Sequence, residues 1–186
     1  MGKEKFVEAR IEAVLTAEDP STFVTERRSA IRVELGGIPG DRHYGLLVAA
    51  DVRQSFYARG TMIANRRQIS IVSAEDCAKI AGNLGVDRIE PEWLGANILL
   101  SGYPDFTQLP LGSRLIVPDG AGLICEGENL PCLGPGEEIE AALGTAGLAE
   151  RFVKAARKLR GIVCSIEREG EIRSGDAIRI FINGGN

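Results

Sequence analysis

No apolar run in the 186-residue sequence approaches the roughly 20 residues needed to cross a bilayer. The opening stretch, MGKEKFVEARIEAV, scatters charge along its length and does not read as a signal peptide. Phe6 stands where a myristoylation signal prefers Ser or Thr. These absences predict a cytoplasmic protein with no membrane partner. In that compartment the four cysteines, Cys77, Cys125, Cys132 and Cys164, are expected as thiols and not as a disulfide framework. Cys125 and Cys132 lie too far apart for a CxxC redox pair, and no second cysteine pair completes a zinc site. The net charge of −4 shows no basic excess, which argues against a nucleic-acid partner. There is no internal repeat and no low-complexity linker.

Apolar residues make up 44 % and charged residues 26 %, the balance of a globular chain. One domain spanning 1–186 is expected at this length. Twenty-three glycines point to many tight turns and a β-rich fold. In KFVEARIEAVL (5–15), Val7, Ala9, Ile11, Ala13 and Leu15 alternate with Glu8, Arg10 and Glu12, the pattern of a half-buried strand. Further strands are predicted over 29–35, 68–73, 96–102, 113–120, 121–127, 161–167 and 176–182, with Asp119-Gly120 as a hairpin turn and REGE and SGD as later turns. Ser73 opens a capping-box pattern and a helix to about Asn83. A short helix is predicted over 137–143. A longer one over 147–160 carries Leu148, Phe152, Ala155 and Leu159 on one stripe, with Gly161 as its stop. Its basic residues, Arg151, Lys154, Arg157, Lys158 and Arg160, read as a solvated face. Strands and helices do not alternate regularly, so the fold class is mainly β (α+β), a mostly antiparallel barrel with a few peripheral helices.

Cys77, Cys125 and Cys164 sit in apolar surroundings and read as small core residues. Cys132, in EGENLPCLGPG (126–136), does not. A thiol on a glycine-rich loop is either a nucleophile, a soft-metal ligand or an idle surface group. The helix that follows favours a thiolate there, while Glu126, Glu128, Glu137 and Glu138 oppose it. The one histidine, His43, lies in GGIPGDRHYG (36–45) beside Asp41 and Arg42. This loop lacks a GK[ST] ending, so nucleotide hydrolysis is not supported. Its arginine, histidine and accessible amides suit an anionic ligand, or else are uninvolved surface. Arg66 and Arg67 either add positive charge or are solvated strand-edge residues.

Taken in order, GIPGDRHYG (37–45), NRRQISIVSAED (65–76), LGANI (94–98), LPLGSRLIV (109–117), the Pro131-Cys132 loop and the Gly175-Asp176 turn resemble a MOSC domain, named for the C-terminal domain of molybdenum-cofactor sulfurase. The resemblance covers about 30–182. It implies a compact β-barrel and a functional cysteine, here Cys132, which carries sulfur as a persulfide or ligates molybdenum. It also implies that Asp41, Arg42 and His43 lie near a pterin pocket, and that Asn65, Arg67 and Asn97 occupy other recurrent positions. Two departures stand out. Glu128, Asn129 and Leu130 precede the Pro-Cys pair where many members have an arginine, and Ala96 stands where many have Glu.

Two functions follow from the resemblance. In the first, the chain binds molybdenum cofactor with Cys132 as metal ligand and reduces N-hydroxylated compounds as an oxidoreductase. In the second, it is a non-enzymatic sulfur carrier, with a Cys132 persulfide serving metal-sulfur cofactor assembly. Either function requires a small-molecule or cofactor ligand and a separate protein as redox or sulfur donor.

Overall fold

Residues 6–118 and 120–184 are described by the computed structural model. In chain order the elements are β1 (Val7–Thr16), β2 (Glu26–Arg28), β3 (Ala30–Val33), β4 (Leu47–Ala49), β5 (Met62–Ala64), β6 (Ile69–Ser73) and α1 (Ala74–Leu84). They continue with β7 (Ile98–Ser101), β8 (Arg114–Ile116), β9 (Gly122–Glu128), α2 (Leu133–Leu143), α3 (Leu148–Ala155), β10 (Ile162–Arg168), β11 (Gly170–Arg173) and β12 (Ala177–Phe181).

Strand β1 forms because its alternation puts Ala9, Ile11 and Ala13 inside and Glu8, Arg10 and Glu12 outside. It pairs with β12 on one side and with β7 on the other, which closes β12-β8-β9-β10-β6-β7 into a seven-stranded barrel. Ile11, Ile69, Ile71, Ile98, Leu100, Phe106, Leu115, Leu123, Ile178 and Ile180 fill it, each fully buried. Burying each such side chain stabilises by about 1.5–3 kcal/mol before entropy is counted.

The barrel is mixed, which corrects the antiparallel expectation. Strands β6 and β7 run parallel. A parallel pair needs a crossover connection, supplied here by α1 and the single turn Glu92–Leu94. Helix α1 begins as the capping pattern predicted, with Asp76 N donating to Ser73 Oγ, and ends at Gly85 in the left-handed region. Along β6, Ile69 and Ile71 face the barrel, while Val72 faces a second core with Ile80, Leu84, Leu94, Ile139 and Phe152 beneath the helices.

Four expectations change. Gly170 and Glu171, read as the second half of the turn REGE (168–171), instead open strand β11, which pairs with β3 outside the barrel. Helix α2 starts at Leu133 and not at 137; Pro135 is tolerated because first-turn amides have no intrahelical acceptor. Helix α3 ends at Ala155 and not at 160, and Lys158 beyond it takes a φ of 60°. Strands β4 and β5 form an unexpected hairpin arm. Its loop leaves Val52 84 % and Phe56 95 % exposed. The Asp119-Gly120 turn lies partly outside the described residues, although β8 and β9 do pair antiparallel.

Candidate functional site

Cys132 occupies the N-cap position of α2 in an extended conformation, with no capping hydrogen bond from its side chain. It is the exposed cysteine of the four; Cys77, Cys125 and Cys164 are buried, as expected. Burial pushes the Cys77 thiol up to about 12 and raises Cys125 and Cys164 as well, so none of these three supplies a thiolate at neutral pH.

A cavity of about 300 Å³ opens beside Cys132. Its wall contains Arg42, His43, Arg53, Arg67 and Arg160 and no carboxylate, although the chain as a whole is acidic. Phe23, Leu94 and Val163 give it an apolar side. A second concavity of about 590 Å³ shares Arg53, Arg67, Asn129, Cys132, Arg160 and Val163 with the first. Cys132 and the His43 loop, nearly ninety residues apart in sequence, thus line one cavity.

The six positions that the resemblance singled out divide into two groups. Arg42, His43 and Arg67 line the cavity. Asp41, Asn65 and Asn97 are not in the wall of this cavity. Buried Asp41 accepts from Ala17 N (2.8 Å), His43 N (2.9 Å) and Asn97 Nδ2 (3.0 Å), and lies 3.0 Å from His43 Nδ1. Burial raises its pKa, but the bonds from the His43 side chain and the Ala17 and His43 amides outweigh that and hold it below the usual carboxylate value. Asn97 accepts from Ser70 N and donates to Leu15 O, tying β6 and β1 to the loop. Asn65 donates to the carbonyls of His43 and Gly45 and accepts from Arg67 N. These three shape the loop; Arg42, His43 and Arg67 face what enters.

Arg67 donates to Asn129 Oδ1 at 2.8 Å, and Asn129 Nδ2 donates to Ser70 Oγ. The departure at Asn129 therefore belongs to the cavity wall. Burial lowers the Arg67 pKa, and the neighbouring Arg53 charge adds to that. Arg160, expected on a solvated helix face, is only 6 % exposed and is also in the wall. Burial brings its guanidinium down to about 10, still cationic at neutral pH. Its Nη2 donates to Leu94 O, and its Nε and Nη1 have no hydrogen-bond partner among the described residues.

Periodicity put Arg160 on a solvated helix face, and Arg53 lies in a stretch to which no element was assigned from the sequence. Arg160 is turned inward by Gly161, whose amide donates to Thr107 Oγ1 and whose carbonyl accepts from Asn129 N. Gly161 has a φ of 86°, and a Cβ there would overlap the Ile71 carbonyl oxygen. Gly161→Ala is expected to destabilise the chain by more than about 2 kcal/mol, read as a loss of thermal midpoint. An unchanged midpoint would contradict this packing.

The MOSC domain family model matches residues 41–179. A Bacillus subtilis (strain 168) protein, YuaD, provisionally named for metal-sulfur cluster biosynthesis, is 50 % identical over 177 residues, covering 95 % of this chain and 92 % of its own. The crystal structure of a Bacillus subtilis YuaD protein superposes with a TM-score of 0.93 at 48 % identity, over 96 % of this chain and 98 % of that one. YiiM from Geobacillus stearothermophilus shares the fold alone, at a TM-score of 0.60 and 13 % identity over 92 % of this chain and 74 % of that one. No helix among the described residues is long and apolar enough to cross a membrane. A family model matched over most of the chain and a relative at half identity agree with the motifs that first pointed there: the chain belongs to the MOSC domain family.

Proposed function

We propose that the chain is a carrier of sulfane sulfur, held on Cys132 as a persulfide and passed on during assembly of metal-sulfur centres. One observation carries this reading. The accessible thiol stands at the first turn of an 11-residue helix and against a wall of arginines with no carboxylate among them. Unpaired amides and guanidinium groups favour an anion at that place.

Loading is a thiol exchange. The Cys132 thiolate attacks the outer sulfur of a cysteine persulfide on a donor protein. The donor S–S bond breaks and the donor cysteine leaves as thiolate. Delivery reverses the roles: an acceptor thiolate attacks the outer sulfur and Cys132 leaves. No external electrons are needed in either step. The name of the Bacillus subtilis relative supports this direction.

The acid-free wall also favours a second reading, binding of molybdenum cofactor with Cys132 as ligand. Among the described residues no group of three or more His, Cys, Asp or Glu could cage a metal. A metal here would arrive with its own ligands, and a single thiolate beside cationic side chains fits such an anionic, phosphate-bearing group. Arg67 and Arg160 would hold the phosphate and Cys132 the metal. When bound, the cofactor would supply an open coordination position for oxygen-atom removal from N-hydroxylated compounds.

Molybdenum, pterin and sulfane sulfur should be measured per chain after expression in a host that makes molybdenum cofactor. The carrier reading expects sulfane sulfur on the native chain and none on Cys132→Ser. Near-stoichiometric molybdenum and pterin, lost in Cys132→Ser, would overturn it in favour of the second reading.

A further inference from the structure

We infer that the cavity beside Cys132 is a substrate site for a small sulfur oxyanion of the thiosulfate class, from which Cys132 draws sulfur directly. The inference rests on the carrier reading above and names a substrate for it.

Arg160 makes the argument. It is 6 % exposed, lies in the wall of both concavities, and forms no ion pair among the described residues. A buried guanidinium with Nε and Nη1 unpartnered is costly unless an anion meets it. Nε and Nη1 lie on different sides of the guanidinium, so each offers a separate donor to an oxyanion. Arg67 also lacks a carboxylate partner among the described residues, and spends one nitrogen on Asn129. Four arginines line the cavity; Arg53 is paired with Asp51, and the adjoining concavity carries Glu126 and Glu128, so Arg67 and Arg160 are the cations of this wall left to meet an anion. Its volume of about 300 Å³ accommodates a small anion.

Phosphate would satisfy the arginines equally well. The presence of Cys132 on the same wall selects an oxyanion that also carries a sulfur to give. The Cys132 thiolate attacks the outer sulfur of thiosulfate, and the S–S bond breaks with its electron pair leaving on sulfite. Cys132 is left as a persulfide anion. Three negative charges enter and three remain, and neither oxidant nor reductant is required. The arginines hold the oxygens on which the departing charge collects.

The test compares two donors on the full chain: thiosulfate, and a cysteine persulfide carried by a protein. Intact mass reads sulfur added at Cys132, and released sulfite is assayed in parallel. Thiosulfate is expected to add one sulfur per chain with one sulfite released, and sulfate, which has the oxygens but no sulfur to donate, is expected to compete. In Arg160→Lys the ratio of thiosulfate loading to persulfide loading is expected to fall about tenfold, the loss of one charged hydrogen bond. Should that variant not fold, sulfate competition on the native chain decides the point alone. Loading by protein persulfide without loading by thiosulfate overturns the inference and leaves the carrier reading standing. Loading by neither overturns both. Thiosulfate loading that sulfate does not inhibit removes the arginine site.

Discussion

Cys132→Ser is expected to lose sulfur loading completely while keeping or slightly raising its stability. A serine hydroxyl neither reaches the anionic state at neutral pH nor forms a stable bond to sulfane sulfur. The three remaining cysteines cannot substitute, because each is buried and each thiol is shifted upward by desolvation. The fold should not suffer, since Cys132 is exposed and its side chain makes no cap bond. Serine at an N-cap accepts from a first-turn amide, a gain of up to about 1 kcal/mol. Intact mass after exposure to a persulfide donor, together with a thermal melt, separates the two effects. Sulfur gained by the variant, or a melt lowered by several degrees, would contradict the account.

Asp41→Ala is expected to cost about 3–5 kcal/mol, the largest stability effect in the site. Its carboxylate satisfies the Ala17 and His43 amides and the Asn97 side chain, and it faces His43 Nδ1. Removing it strands these donors, two of them on the buried residues Ala17 and Asn97. The His43 loop then loses its anchor to β1 and β7, so anion binding should weaken even where the variant folds. Urea unfolding measures the first effect and sulfate binding the second. The sign of the pH dependence follows from the lowered pKa of Asp41 in the folded chain. Its stabilising contribution is complete above the ordinary carboxylate value near pH 4, and is lost as pH falls through the lower folded value. The native chain and Asp41→Ala should therefore converge in stability below about pH 4. A difference that persists unchanged into stronger acid would rule out the ionised carboxylate as its source.

What the sequence disclosed, and what it hid, follows from where burial occurs. Strands β1 and β12 were legible because one face of each meets the barrel core and alternation records that directly, and β6, which meets a core on both faces, was legible as a short β-branched run. Helix α1 was legible because Ser73 and Gly85 mark both its ends. The β4–β5 arm left no such record; its residues are mostly exposed on both faces and held by backbone pairing. Strand β11 was hidden because its first two residues, Gly170 and Glu171, belong to the turn-like REGE and only Ile172 is fully buried. The parallel β6–β7 pair is a matter of topology, and no local pattern encodes it.

The site divides in the same way. Cys132 stood out because a thiol among glycines and prolines has no packing reason to be there. Arg42 and His43 were singled out by their glycine-rich loop and Arg67 by its charge, and motif resemblance repeated these and added Asn65 and Asn97 without separating wall from scaffold. Arg160 was out of reach. Its inward turn depends on the close approach of Gly161 to the Ile71 carbonyl and on the Leu94 carbonyl accepting from Nη2. Both contacts join segments far apart in the chain.

The central claim is that Cys132, and no other cysteine, bears transferable sulfur. Its most direct test is peptide-resolved mass analysis of the native chain after reaction with a persulfide donor, with all four cysteines quantified. The account predicts one added sulfur on the peptide containing Cys132, released by a thiol reductant, and none on Cys77, Cys125 or Cys164. Sulfur spread over the other cysteines, or an unmodified Cys132 in a fully folded chain, would contradict it.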